Sequence, residues 1–156
     1  MISSNLTISR LFLLCTMMAI SSCSSLRLTE VNFGWPVESV QTVGANNAID
    51  EGRYSLTMRV APLAAEEFHD SSALIGKSLH ILRNNDGFYF VTGPQFKTVY
   101  VFKPGQGELI LESRVQVSPT GLKNPAFNQR APYVELLDGS GKLLLTKDEI
   151  LERSNP

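Results

Sequence analysis

Four runs of sequence decide the fold: Ser78-Leu79-His80-Ile81-Leu82-Arg83, Phe88-Tyr89-Phe90-Val91-Thr92, Lys97-Thr98-Val99-Tyr100-Val101-Phe102-Lys103, and Glu108 to Ser118. Each is rich in the aromatic and β-branched residues that suit a pleated, half-buried surface. Between them lie Asn84-Asn85-Asp86-Gly87, Gly93-Pro94-Gln95-Phe96 and Pro104-Gly105-Gln106-Gly107, all residues of turn chemistry. A parallel connection needs about a dozen residues or more, so links this short can join only antiparallel neighbours. The spacing therefore predicts a four-strand meander as the heart of the domain.

Working back from Ser78, Ala64 to Ile75 is ambiguous. Ala64-Ala65-Glu66-Glu67-Phe68 favours a turn of helix and Asp70-Ser71-Ser72 interrupts it, which predicts a loop with one helical turn at most. Arg53 to Val60 alternates without a break. Tyr54, Leu56, Met58 and Val60 share one face, and Ser55, Thr57 and Arg59 share the other, as in a half-buried antiparallel strand. Gly44-Ala45-Asn46-Asn47 is a turn. Phe33 to Val43 reads as a first strand, with Pro36 confining its part to an edge or bulge. Working forward, Pro119 to Pro132 reads as a long irregular connection. Tyr133 to Leu137 and Lys142 to Leu145 form a hairpin across Asp138-Gly139-Ser140-Gly141. Thr146 and Glu149 have capping-box spacing, which predicts a short terminal helix through Leu151. The expected fold class is mainly β: a single small antiparallel barrel or sandwich of about seven strands with a short C-terminal helix.

The N-terminal segment is of another kind. Arg10 precedes Leu11-Phe12-Leu13-Leu14-Cys15-Thr16-Met17-Met18-Ala19-Ile20, and Ser21-Ser22 stand directly before Cys23. A positive start, a short apolar run and small residues at the cut mark a secretory signal, and the run is about half the length a membrane span needs. With the cysteine at the cut, the segment resembles a bacterial lipoprotein signal with its lipobox. The resemblance covers residues 1–23 and implies a lipid on Cys23 after removal of residues 1–22. Residues 23–32 then form a lipidated tether and residues 33–156 the β-rich domain. Ser24, where such lipoproteins carry Asp if they are retained, implies transfer to the periplasmic face of the outer membrane in a Gram-negative cell. Loss of Arg10 takes the net charge of −1 to −2. Nothing in that balance suggests the clustered cationic surface that nucleic acid requires. Cys15 leaves with the signal, so Cys23 is the one thiol remaining and the domain must stand on its core without a disulfide.

Three constellations invite a chemical reading. Glu66, Glu67, His69 and Asp70 bring three carboxylates and an imidazole together, but consecutive residues are not spaced to converge on one ion. They read as a solvated acidic loop, and no metal or other cofactor is expected. His80 lies in a strand and reads as a paired or solvated imidazole. The sequence has no G-x-S-x-G elbow, phosphate-cradling glycine loop or H-E-x-x-H, so no catalytic residue is assigned. Within Leu122 to Pro132, the residues Asn124, Phe127, Asn128, Gln129 and Arg130 offer amides, an aromatic ring and a guanidinium suited to a carboxylate or phosphate. A connection of that length is often functional. The alternative is a crossing between sheet edges, with Asn124 and Asn128 satisfying backbone groups and Phe127 plugging the core. Phe33 and Trp35 share a strand face and read as core, with an exposed partner patch as the alternative.

These readings lead to a lipid-anchored cell-envelope protein with a non-enzymatic binding or assembly role. Its membrane contact is the N-terminal lipid, and its partner is an envelope protein or polymer. The alternatives are a small envelope enzyme acting on a polymer, or a barrel that binds an apolar ligand.

Overall fold

The four runs of the meander become four consecutive strands, β4 (Ser78–Arg83), β5 (Tyr89–Thr92), β6 (Thr98–Pro104) and β7 (Leu109–Gln116), each antiparallel to the next. The computed structural model describes residues 37–154. The expected signal, Cys23, the tether, Phe33, Trp35 and Pro36 lie outside the described residues. Before the meander come β1 (Ser39–Thr42), β2 (Ala48–Glu51), β3 (Leu56–Arg59) and the helix α1 (Ala61–Phe68). After it come β8 (Pro125–Arg130), β9 (Tyr133–Asp138), β10 (Gly141–Leu145) and β11 (Ile150–Ser154). β1 pairs with β4 and extends the meander to a five-stranded sheet ordered β1-β4-β5-β6-β7. The last four strands form a second sheet ordered β11-β10-β9-β8, and β2 and β3 form a hairpin. The mainly β, antiparallel fold is as the sequence implies. No helix among the described residues is long and apolar enough to cross a membrane.

The central sheet is buried on both faces, which explains why β5 has no exposed position. Leu79, Ile81, Tyr89, Val91, Tyr100 and Phe102 meet the β2–β3 hairpin and α1 on one side. Leu82, Phe90, Val99 and Val101 meet Phe127, Val134, Leu136, Leu143 and Leu145 of the second sheet on the other. β7 serves both layers through a bulge. Val101 pairs with Ser113 while Phe102 pairs with Leu111, leaving Glu112 as the extra residue. The insertion flips the alternation, so Leu109 and Leu111 pack on the helix side and Val115 on the other. In β3 the expected alternation holds: Met58 is buried, as is Val60 just after it, while Thr57 and Arg59 are exposed. Arg53 to Ser55, read as part of the same strand, instead form the turn of the β2–β3 hairpin, where the Ser55 N–H donates to the Gly52 carbonyl. Thr57 Oγ1 donates to Asp50 Oδ1 at 2.7 Å on the wet face.

Three expectations are corrected. The short helix stands at Ala61–Phe68 rather than at the C terminus, and it has two turns. Pro62 sits in its first turn, where a missing N–H costs nothing, and His69 at φ 58° closes it in the left-handed conformation. Leu63 and Ala64 bury its inner face, and Phe68 stands edge-on to Phe96 at 5.4 Å. The C-terminal helix read from Thr146 is the strand β11. Thr146 Oγ1 does accept the N–H of Glu149 at 3.1 Å, but Thr146 N–H donates to the Glu149 carbonyl and closes a tight turn instead. A Thr hydroxyl serves a turn and a helix cap equally well. Finally, the irregular stretch after Pro119 contains β8. Pro125 is its first residue, where a strand tolerates proline, and β9 pairs with it across the turn Ala131-Pro132.

Candidate functional site

The second sheet turns Phe127, Gln129, Val134, Leu136, Leu143, Leu145 and Ile150 toward the central sheet, and Asn128, Arg130, Glu135, Lys142, Leu144 and Glu152 alternate with them on the face toward water. Pairing lines up Asn128, Glu135, Leu144 and Glu152 in one row across four strands of this outer face. Glu135 is only 4% exposed although it lies on the wet side, because neighbouring side chains close over it. Its Oε1 accepts from Lys142 Nζ at 3.0 Å and from Arg130 Nη1 at 3.3 Å, and its Oε2 accepts from Asn128 Nδ2 at 3.2 Å. The Lys142 hydrogen bond holds the Glu135 carboxyl below the usual carboxylate range. Burial opposes that shift, while Asn128 and the charges of Lys142 and Arg130 reinforce it.

The two cations keep most of their donor capacity. The side chains of Arg130 and Lys142 are 63% and 46% exposed, and each gives Glu135 a single N–H. Beside them a groove of about 240 Å³ is lined by Arg130, Glu135, Lys142, Leu144, Glu152 and Ser154. Anchored by one buried carboxylate, the arrangement can present a guanidinium fork and an ammonium to an incoming carboxylate or phosphate. Glu152 closes the far end with a negative charge.

The five residues proposed from sequence divide between the faces. Asn128 and Arg130 meet at Glu135 on the outer face. Phe127 is 5% exposed and stands edge-on to Phe90 at 6.4 Å between the sheets. Gln129 also points inward; its Nε2 donates to the Tyr133 carbonyl at 2.8 Å, and its Oε1 is buried without a partner among the described residues. Asn124 precedes β8, and its N–H donates to Asp138 Oδ1 at 2.7 Å. Sequence reasoning missed Glu135 and Lys142. The signal for Glu135 was the alternation of Val134 and Leu136 around it, which places it opposite Asn128 once Ala131-Pro132 is read as a hairpin turn.

The other constellations are engaged separately. Glu38 Oε1 lies 2.9 Å from His80 Nδ1 and accepts the Phe127 N–H at 2.6 Å, so one carboxylate ties β4 to β8. Glu66 forms a two-point contact with Arg114, at 2.5 and 3.1 Å. Glu67 accepts the Tyr100 hydroxyl at 3.0 Å and also the Lys97 N–H. Burial pushes the Tyr100 hydroxyl up, and the Glu67 hydrogen bond adds to it. Asp70 turns to Ser72, whose hydroxyl lowers its carboxyl. Among the described residues no group of three or more His, Cys, Asp and Glu side chains is placed to hold a metal ion. The chain matches no known protein-family model, no curated protein and no solved structure.

Proposed function

We propose that this chain is a lipid-anchored cell-envelope protein whose β domain binds another envelope component, a protein or a polymer, without catalysing a reaction. The observation that supports binding is the pair Arg130 and Lys142, held together by buried Glu135 beside an open groove, with donors to spare. A partner carrying a carboxylate or phosphate fits that pair. Envelope extract passed over residues 24–156 should yield a captured component that Arg130→Ala and Lys142→Ala each release at moderate salt. The melting temperature of Arg130→Ala should stay within a few degrees of wild type, because Arg130 is itself exposed and Lys142 and Asn128 still hold Glu135, so the loss is about 1 kcal/mol. Capture that survives both changes would move the site elsewhere.

The anchor rests on the order of Arg10, the apolar run, Ser21-Ser22 and Cys23. Each buried methylene of a lipid chain adds about 0.8 kcal/mol, so two or more chains hold a protein firmly where one is marginal. On this reading the protein sits at the periplasmic face of the outer membrane. Cys23→Ser should abolish labelling with fatty acid and leave unprocessed precursor or a soluble product. Persistent labelling would remove both the anchor and the location.

A further inference from the structure

The inner face of β10 and β11 borders a second groove, of about 270 Å³, where the chain leaving β7 meets the β9–β10 hairpin. Its floor is apolar: Leu122, Leu136 and Leu143 are 3%, 0% and 8% exposed. Its rim carries opposite charges. Arg153 lies across from Leu143 and donates one N–H, from Nη2, to the Val117 carbonyl at 3.0 Å. The other guanidinium hydrogens have no partner among the described residues, and Arg153 forms no ion pair there. Asp138, which lines the groove, commits Oδ1 to the N–H groups of Lys123 and Asn124, at 2.9 and 2.7 Å, while Oδ2 has no hydrogen-bond partner among the described residues. The Ser118 hydroxyl stands at the same rim.

We propose that this groove receives the carboxy-terminal residue of a peptide chain that ends in an apolar side chain. Each part of such a residue has a counterpart. The free carboxylate meets the Arg153 fork, the apolar side chain lies against the edges of Leu122 and Leu143, and the backbone N–H donates to Asp138 Oδ2. Arg153 and Asp138 sit two strands apart and two residues offset, about 10 Å across the strands and about 6–7 Å along them. The Arg153 side chain and one terminal residue together span that gap. The groove is open along one side, so the rest of a peptide can leave it; a free amino acid, whose ammonium would also meet Asp138, is the competing occupant that the test separates. Lys142 lines this groove as well as the outer one, whereas Arg153 and Asp138 line this groove and Arg130 lines the other, so a change at Arg153 separates the two sites.

The test uses the full chain in detergent micelles and a dye-labelled pentapeptide, Gly-Ser-Gly-Ala-Leu, read by fluorescence anisotropy. The free-acid peptide should bind saturably and its carboxy-terminal amide about tenfold or more weakly, a difference of about 1.4 kcal/mol. Arg153→Gln should bring the acid down to the level of the amide, while Arg59→Gln on the distant hairpin should change neither. If Arg153→Gln lowers the folded fraction, the acid–amide comparison on the unaltered chain decides alone. Equal binding of acid and amide, or no saturation up to millimolar protein, would overturn the proposal. So would free leucine competing as well as unlabelled peptide, because the peptide would then not be the occupant.

Discussion

Phe127→Ala separates the two meanings that a sequence gives to an aromatic residue in a polar stretch. If Phe127 served a binding surface, its truncation would cost affinity and little stability. The structure instead seats it between the sheets, 5% exposed, against Phe90 and in a layer with Leu136 and Leu143. Removing a buried phenyl ring costs about 3–5 kcal/mol in transfer and cavity terms, and the edge-to-face pair accounts for about 0.5–1.5 kcal/mol of such a loss. Against a typical total of 5–15 kcal/mol, the variant keeps a folded population with a much smaller margin. For a domain of this size each kcal/mol moves the melting temperature by roughly 4 °C, so a fall of about 12–20 °C is expected. Thermal melts followed by circular dichroism measure it directly. Asn128→Ala, one residue along on the opposite face, removes one of three donors to Glu135 and should cost about 1 kcal/mol. Equal loss from the two variants, or a silent Phe127→Ala, would refute the placement of β8 as the strand that closes this layer.

Two further outcomes follow from the same packing. Met58→Asp puts a charge beneath the β2–β3 hairpin and should cost several kcal/mol, while Thr57→Asp on the wet face should cost about 0.2–1 kcal/mol, because the new carboxylate faces Asp50 across the pair. Urea melts of the two variants check the contrast, and equal damage would mean the hairpin is buried on both sides. Glu135 sets a pH dependence: its folded carboxyl lies below the ordinary value near 4.5, so the unfolded chain takes the proton first as pH falls. The stability it contributes is complete well above pH 4.5 and is lost as pH drops through the lower folded value. Glu135→Gln should therefore bring the acid limb of the stability curve closer to flat, and parallel curves for the two proteins would refute the assignment.

The fold was legible where a short-range rule decides it. Four-residue turns between Ser78 and Ser118 leave only antiparallel pairing open, and the alternation from Leu56 to Val60 names the buried face without any knowledge of the partner, although Tyr54 and Ser55, read as part of that strand, belong to the turn before it. Legibility failed where one local signature serves two structures. The hydroxyl of Thr146 satisfies Glu149 N–H in a turn as it would in a helix cap, and what decides is that Ile150 finds Leu145 across the hairpin. The same holds for Asn124 to Arg130. Prolines at both ends suggest an irregular crossing, yet Phe127 gains more from the inter-sheet layer than the loop gains from freedom. Half of the candidate site was visible as polar side chains at Asn128 and Arg130. Glu135 and Lys142 could not be joined to them from sequence, because only strand register brings them together, and the register follows from recognising β8.

How the sheet edges are treated explains why recognition is assigned to faces and grooves. An open edge strand offers unpaired N–H and C=O groups to any extended chain. Here the outer strands of the two larger sheets, β1, β7, β8 and β11, each carry an obstruction at or beside the edge. The Phe127 N–H of β8 donates to Glu38 instead of remaining open. Ahead of β1, Arg53 Nη2 donates to the Glu38 carbonyl at 3.1 Å. β7 bulges at Glu112, whose carboxylate pairs with Lys103 at 2.7 Å. β11 bulges too: Leu144 pairs with Glu152 and Leu145 with Ile150, leaving Leu151 over, with charged Glu152 and Arg153 beside it. A bulge twists the strand out of register with a flat partner, and a charged side chain there resists dry pairing. A partner that adds a strand to this domain would have to undo one of these arrangements, whereas a carboxylate approaching Arg130 and Lys142, or a peptide terminus approaching Arg153, finds donors already turned outward. The same bulge that protects β11 shifts its alternation by one residue, and that shift sets Glu152 on the outer groove and Arg153 on the inner one.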